Sequence, residues 1–155
     1  MRLYLVQHGE AKPKSEDPER PLTDRGRDDV ARVAAFAQRA GVEVSQIEHS
    51  GKRRSEETAA ILAEHLAPRG GVVALQGLAP RDDVGRFGEL LNLETKPRMF
   101  VGHLPFMDRL ASLLVTGAIV DPVVSFQMGG IVCLERDPTS RTWMVRWIVT
   151  PDLVP

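Results

Sequence analysis

The sequence predicts an α/β fold in three layers: a mainly parallel central sheet, helices on both faces and an antiparallel hairpin at one edge. Three observations carry this expectation. Short apolar, β-prone runs alternate with segments whose apolar residues recur at helical spacing. Two later runs, 130–135 and 142–149, have no helix between them, only the turn-like Arg136-Asp137-Pro138-Thr139-Ser140, so they should pair as a hairpin. A chain of 155 residues, 43% hydrophobic and 26% charged, suits one globular domain, 1–155. A domain of that size buries about two thirds of its unfolded surface and needs no staples.

Taken in order, Leu3 to Val6 is a short core strand that ends in Gln7-His8-Gly9-Glu10-Ala11. Residues 12–22 hold three prolines and six charged side chains, the composition of an exposed loop. Thr23 is a good N-cap, and Val30, Val33, Ala34 and Ala37 follow at helical spacing, predicting a helix from Asp24 to Ala40 that Gly41 stops. Val44 to His49 is a strand candidate ending at the basic turn Ser50-Gly51-Lys52-Arg53-Arg54, and Ser55 to Ala67 is the next helix. Val72 to Leu75 is a short strand; a loop from Gly77 to Pro80 precedes a helix from about Asp83, with Val84, Phe87, Leu90 and Leu91 as its buried stripe. Arg98 to Val101 is a strand ending at Gly102-His103, and Pro105 suits the first turn of a helix from Phe106 to Val115. Val123 to Phe126, Gly130 to Glu135 and Thr142 to Val149 are the last strand candidates.

Composition excludes several classes of function. A formal charge of -1 gives no reason to expect nucleic acid or an anionic membrane as partner, so any anion site must be local. The single cysteine, Cys133, sits in an apolar run and reads as a buried small hydrophobe, not as half of a disulfide or as a zinc ligand. No apolar run approaches the roughly 20 residues that span a bilayer, and the opening residues are a strand rather than a signal core. A cytoplasmic location is the expectation.

Three predicted strand ends carry chemistry: His8, the Lys52-Arg53-Arg54 cluster and His103. In a parallel sheet, ligands bind beyond the carboxyl ends of the strands, so these groups should share one edge. Each has a bland explanation on its own, as a solvated charge or a helix cap; their coincidence favours a phosphate site. Neutral imidazole can attack phosphorus, a guanidinium fork matches two phosphoryl oxygens, and a second imidazole can donate to the same group.

The same residues resemble the histidine phosphatase superfamily, in its compact branch typified by the SixA phosphohistidine phosphatases, over nearly the whole chain. Gln7-His8-Gly9, followed by Glu10-Ala11, stands where that family has Arg-His-Gly. Arg20-Pro21-Leu22-Thr23-Asp24-Arg25-Gly26 matches its Pro-Leu-Thr-x-x-Gly segment. Ser50 to Thr58, with Arg54, Glu57 and Thr58, matches Ser-x-x-x-Arg-x-x-x-Thr, and Gly102-His103-Leu104-Pro105 matches Gly-His-x-Pro. The resemblance implies a phosphoglycerate mutase-like fold and hydrolysis without a metal or organic cofactor. It implies that His8 is transiently phosphorylated, that Arg54 and His103 hold the phosphoryl oxygens, and that Gln7 and Gly9 complete the phosphate cradle. Arg20 and Arg53 would add positive potential at the rim, and Asp82, or less readily Glu10, would serve if a carboxylic acid is used. The implied substrate is a phosphohistidine on a signalling or phosphotransfer protein, with inorganic phosphate as product.

Position 7 departs from the family, since Gln brings no charge where an arginine is expected. Losing one preorganised donor typically costs on the order of a hundred- to a thousand-fold in rate. Two alternatives therefore accompany the phosphohistidine phosphatase reading: a module that binds a phosphorylated ligand or partner without turnover, and a phosphatase for small phosphate esters.

Overall fold

The computed structural model describes all of residues 1–155, and it joins six strands into one sheet of order β3-β2-β4-β1-β5-β6. The strands are β1 (Arg2–Gln7), β2 (Gln46–His49), β3 (Val72–Ala74), β4 (Arg98–Gly102), β5 (Ile131–Arg136) and β6 (Trp143–Val149). The helices are α1 (Asp24–Arg39), α2 (Arg53–Leu66), α3 (Val84–Asn92) and α4 (Phe106–Thr116). β1 to β4 pair in parallel, whereas β5 runs antiparallel to β1 and forms the expected hairpin with β6. The α/β architecture of the prediction is therefore the one observed.

Two cores flank the sheet because alternate residues of each strand face opposite layers. Tyr4 and Val6 of β1 and Met99 and Val101 of β4 pack with Val30, Val33 and Ala37 of α1 and Ala59 and Leu62 of α2. Leu3, Leu5 and Phe100 pack instead with Phe87 and Leu91 of α3 and Phe106, Met107 and Leu110 of α4. Phe87 meets Phe100 and Phe106 edge-on, at ring separations of 5.2 and 5.6 Å. Cys133 is fully buried in the first core, as its sequence context predicts.

Some expectations need correcting. Val123 to Phe126 forms no strand; Val124 is buried, but the segment has no ladder partner and serves as a loop under the second core. The second strand begins at Gln46, not Val44, and α2 begins at Arg53, so Arg54 belongs to the helix and not to the turn. Leu90 is 61% exposed: the apolar face of α3 is narrower than its composition suggests.

Two local devices place the site. Thr23 caps α1, its hydroxyl accepting from the Gly26 N–H at 3.0 Å. Gly26 then lets the first turn of α1 lie directly on the backbone of Glu10, where a Cβ would come within 2.2 Å of the Glu10 carbonyl oxygen. The loop after β1 is thereby clamped against α1.

Candidate active site

β1, β2 and β4 end side by side, which brings His8, Ser50 and His103 to one edge of the sheet. The His8 N–H donates to the Gly102 carbonyl at 3.1 Å, continuing the β1–β4 ladder one residue past the strand. The two imidazole rings lie 5.0 Å apart, and their residues are 8% and 2% exposed.

Hydrogen bonding fixes the form of His8. Its Nδ1 lies 2.7 Å from the Gly9 carbonyl oxygen, which can only accept, so Nδ1 carries the proton. Nε2 then holds the lone pair, and the Arg54 Nε–H donates to it at 3.3 Å. Burial pushes the ring from its ordinary 6.5 down to about 4; the Gly9 bond opposes the shift, while the charges of Arg54 and Arg20 reinforce it. His8 is thus a neutral imidazole at neutral pH, with its unprotonated nitrogen beside a guanidinium.

Thr58 supports both partners. Its hydroxyl donates to the Arg54 carbonyl at 2.7 Å and accepts from the Gly9 N–H at 3.0 Å, joining the loop after β1 to α2. Glu57 holds the next stretch of loop, accepting from the Leu22 N–H at 2.7 Å and from Arg27 and Arg53, each at 3.2 Å.

His103 has Ser50 Oγ 2.6 Å from its Nε2, while its Nδ1 is buried with no partner. Burial drives its pKa to about 3, and His8, Arg54, Lys52 and Arg20 all act in the same direction. An unpartnered imidazole nitrogen, an arginine and a second neutral ring are group types that suit a tetrahedral anion.

The other predicted residues divide. Gly9 lies at the end of β1, too close to Val30 and the Gly26 carbonyl for a side chain: a Cβ would meet Val30 Cγ2 at 2.8 Å. Arg20 adopts a left-handed backbone with φ of 50°, and its Nε–H donates to the Lys12 carbonyl at 3.1 Å. Its charge is felt at His8, Arg54 and His103. Arg53 is turned along α2 to Glu57 and touches neither histidine. Gln7 lines a separate cavity of about 530 Å³ together with Glu10, Arg25, Leu104 and Met128, and its Oε1 is buried without a partner. Glu10 is engaged by Thr23 at 3.2 Å. Asp82 accepts from the Ala79 N–H at 2.8 Å and lines a cavity with Gln76, Arg86 and Phe87 whose walls include neither histidine. Asp83 caps α3. Pro105 is the N-cap of α4, and the Leu104–Pro105 bond is cis. Ser55 escapes a reading of sequence: it sits in a helix and reaches the site only through Ser50, 2.7 Å away.

Known proteins share this architecture. A profile of the histidine phosphatase superfamily (branch 1) matches residues 3–82. An uncharacterised protein of Picosynechococcus sp. is 36% identical over 125 residues, spanning 76% of this chain and 74% of its own. The solved structure of the protein histidine phosphatase SixA complexed with tungstate has a TM-score of 0.86 at 25% identity and covers 99% of both chains. A protein assigned as an alpha-ribazole-5'-P phosphatase, from Escherichia coli, shares the fold with a TM-score of 0.75 at 16% identity, over 97% of this chain and 98% of that one. The profile spans the strand that delivers His8 and the helix that delivers Arg54, and on that ground the chain belongs to the histidine phosphatase superfamily, branch 1.

Proposed function

We propose that the protein is a phosphohistidine phosphatase, which moves a phosphoryl group from a phosphohistidine of a partner protein to His8 and then to water. The observation that carries this reading is the fixed tautomer of His8, with a bare Nε2 beside Arg54. Nε2 attacks phosphorus, the donor's N–P bond breaks, and the departing ring nitrogen keeps the electron pair and takes a proton from water. A water molecule then attacks the phosphorus of the His8 adduct, loses a proton and releases inorganic phosphate with neutral His8. Arg54 offers its guanidinium N–H groups to the phosphoryl oxygens, and His103 stands beside His8 as a second imidazole. Positive charge close to the nucleophile comes from Arg54 and Arg20, which offsets the neutral side chain of Gln7.

Two observations support a protein phosphohistidine over a small ester. The chain is similar over 99% of its length to SixA, a protein histidine phosphatase. Asp82 is held by the Ala79 N–H and Glu10 by Thr23, which argues against a carboxylic acid for an alkoxide leaving group, whereas an imidazole leaves without one. A phosphohistidine donor with rapid quench should trap an acid-labile, alkali-stable phosphate adduct in the wild type and none in His8→Ala; absence of the adduct in the wild type overturns the reading.

Gln7 supports a second reading, in which the site binds a phosphorylated ligand without turning it over. Wild type, Gln7→Arg and His8→Ala assayed side by side separate the two. Turnover that disappears in His8→Ala keeps the enzyme; phosphate binding that weakens in Arg54→Ala, with no turnover in any variant, keeps the binding module.

A further inference from the structure

Ser50, Ser55 and the Lys52 carbonyl form a chain of hydrogen bonds that ends on His103. Ser55 Oγ lies 2.7 Å from the Lys52 carbonyl oxygen, a group that can only accept, so the single hydroxyl proton of Ser55 points there. Ser55 Oγ must then accept in its 2.7 Å contact with Ser50, which commits the Ser50 proton. The Lys52 N–H also donates to Ser50 Oγ, at 3.3 Å. With its own proton spent, Ser50 can only accept from His103 across the 2.6 Å contact. The proton count leaves one arrangement: His103 carries its hydrogen on Nε2, and the buried, partnerless Nδ1 is bare.

We infer that Ser50 and Ser55 lock His103 in its Nε2–H tautomer, leaving an unprotonated, unpartnered Nδ1, and that a phosphate bound beside His8 reaches Nδ1 and shares one proton with it. This rests on the reading of the edge as a phosphoryl site, but not on turnover. A phosphate dianion has no hydrogen to offer Nδ1, and two facing lone pairs repel. A phosphate monoanion supplies the missing O–H. A dianion binds only by taking a proton from solvent onto the ring, which then donates. Either way the complex holds one proton more than free protein plus dianion. The groups acting on the ring are His8 after β1, Arg54 from α2, Lys52 from the turn before α2 and Arg20 from the opening loop, and all of them oppose an imidazolium until an anion is present. Ser50 and Ser55 are positioning residues here, since only His103 would touch the phosphate.

Nitrogen-15 chemical shifts of the His103 ring test the lock directly in the ligand-free protein. The expected wild-type signature is a protonated Nε2 with a bare Nδ1. In Ser55→Ala, a residue that does not touch His103, the Ser50 proton is released to point at Nε2, and the ring hydrogen should move to Nδ1. A wild type protonated on Nδ1, or a Ser55→Ala spectrum identical to that of a folded wild type, overturns the proposal. Should Ser55→Ala not fold, calorimetry of inorganic phosphate binding to the wild type decides, repeated in buffers of different ionisation enthalpy. Uptake of about one proton per phosphate is expected where the dianion dominates, with affinity falling about tenfold per pH unit there; no uptake overturns it. Failure of the phosphatase reading would show instead as a missing adduct on His8, which leaves both of these readouts intact.

Discussion

At the scale of single residues, the site depends on groups that never touch substrate. Thr58 satisfies the Gly9 N–H and holds the first turn of α2, and it is fully buried. Thr58→Val keeps its shape but orphans that N–H, at a cost of about 1–3 kcal/mol that chemical denaturation would register. Turnover should fall as well, because Gly9 and Arg54 are no longer tied together. The histidines make a second prediction, for stability against pH. Both are held below their ordinary 6.5, His8 at about 4 and His103 at about 3, so the unfolded chain binds protons that the folded one refuses. Stability therefore falls as pH drops below 6.5, by up to about 1.4 kcal/mol per pH unit for each histidine, down to about 4 for His8 and about 3 for His103. Denaturation midpoints of wild type and His8→Gln across that range check it: the variant should lose less on acidification.

At the scale of elements, the junction of α1 with the loop after β1 leaves no room for a side chain at Gly26. Gly26→Ala would place a methyl group 2.2 Å from the Glu10 carbonyl oxygen and 2.9 Å from its nitrogen, both backbone atoms that cannot swing aside. Overpacking of this kind costs typically 1–3 kcal/mol or more, so Tm should drop and the His8 loop should shift, with loss of activity beyond the loss of stability. Gly85→Ala is a useful control, because the nearest atom there is a side-chain oxygen of the cap Asp83, at 3.2 Å. Elements of this kind were legible in the chain to different degrees. The first helix announced itself through its cap and apolar spacing: Thr23 serves as the N-cap its position suggests. Val123 to Phe126 misled, because a buried valine in a loop has the same local pattern as one in a strand and only a ladder partner tells them apart. His8, Arg54 and His103 could be placed at one edge because strand ends of a parallel sheet must converge. Ser55 could not, since its role depends on a hydroxyl proton passed through Ser50 and on nothing in its own neighbourhood of sequence.

At the scale of the whole molecule, the two ends of the sheet differ in purpose. Beyond the carboxyl ends lie the histidines; at the opposite end Arg98 joins Glu48 of β2 to Glu94 after α3, with Glu48 only 3% exposed. One Glu48 oxygen and Arg98 Nε have no partner, and the guanidinium carbon sits 5.2 Å from the centre of the Phe100 ring. Breaking a buried pair from one side strands a charge, so Arg98→Met should cost about 3–5 kcal/mol in denaturation experiments. Turnover per folded molecule should be unchanged, since β4 carries Arg98 and His103 at opposite ends, roughly 16 Å apart at strand rise.

The strand order has a consequence during synthesis. β1 lies in the middle of the sheet, and both of its neighbours, β4 and β5, are translated long after it. At elongation rates of about 5–20 residues per second the nascent segment that bears His8 waits roughly 5–20 s before Arg98–Gly102 is made and can pair with it. Through that interval the apolar run Leu3 to Val6 has no ladder partner, although α1 and α2, which cover one of its faces, are already made. Chain order and assembly order thus differ: the strand that leads to His8 is made before either of the two strands that flank it in the sheet.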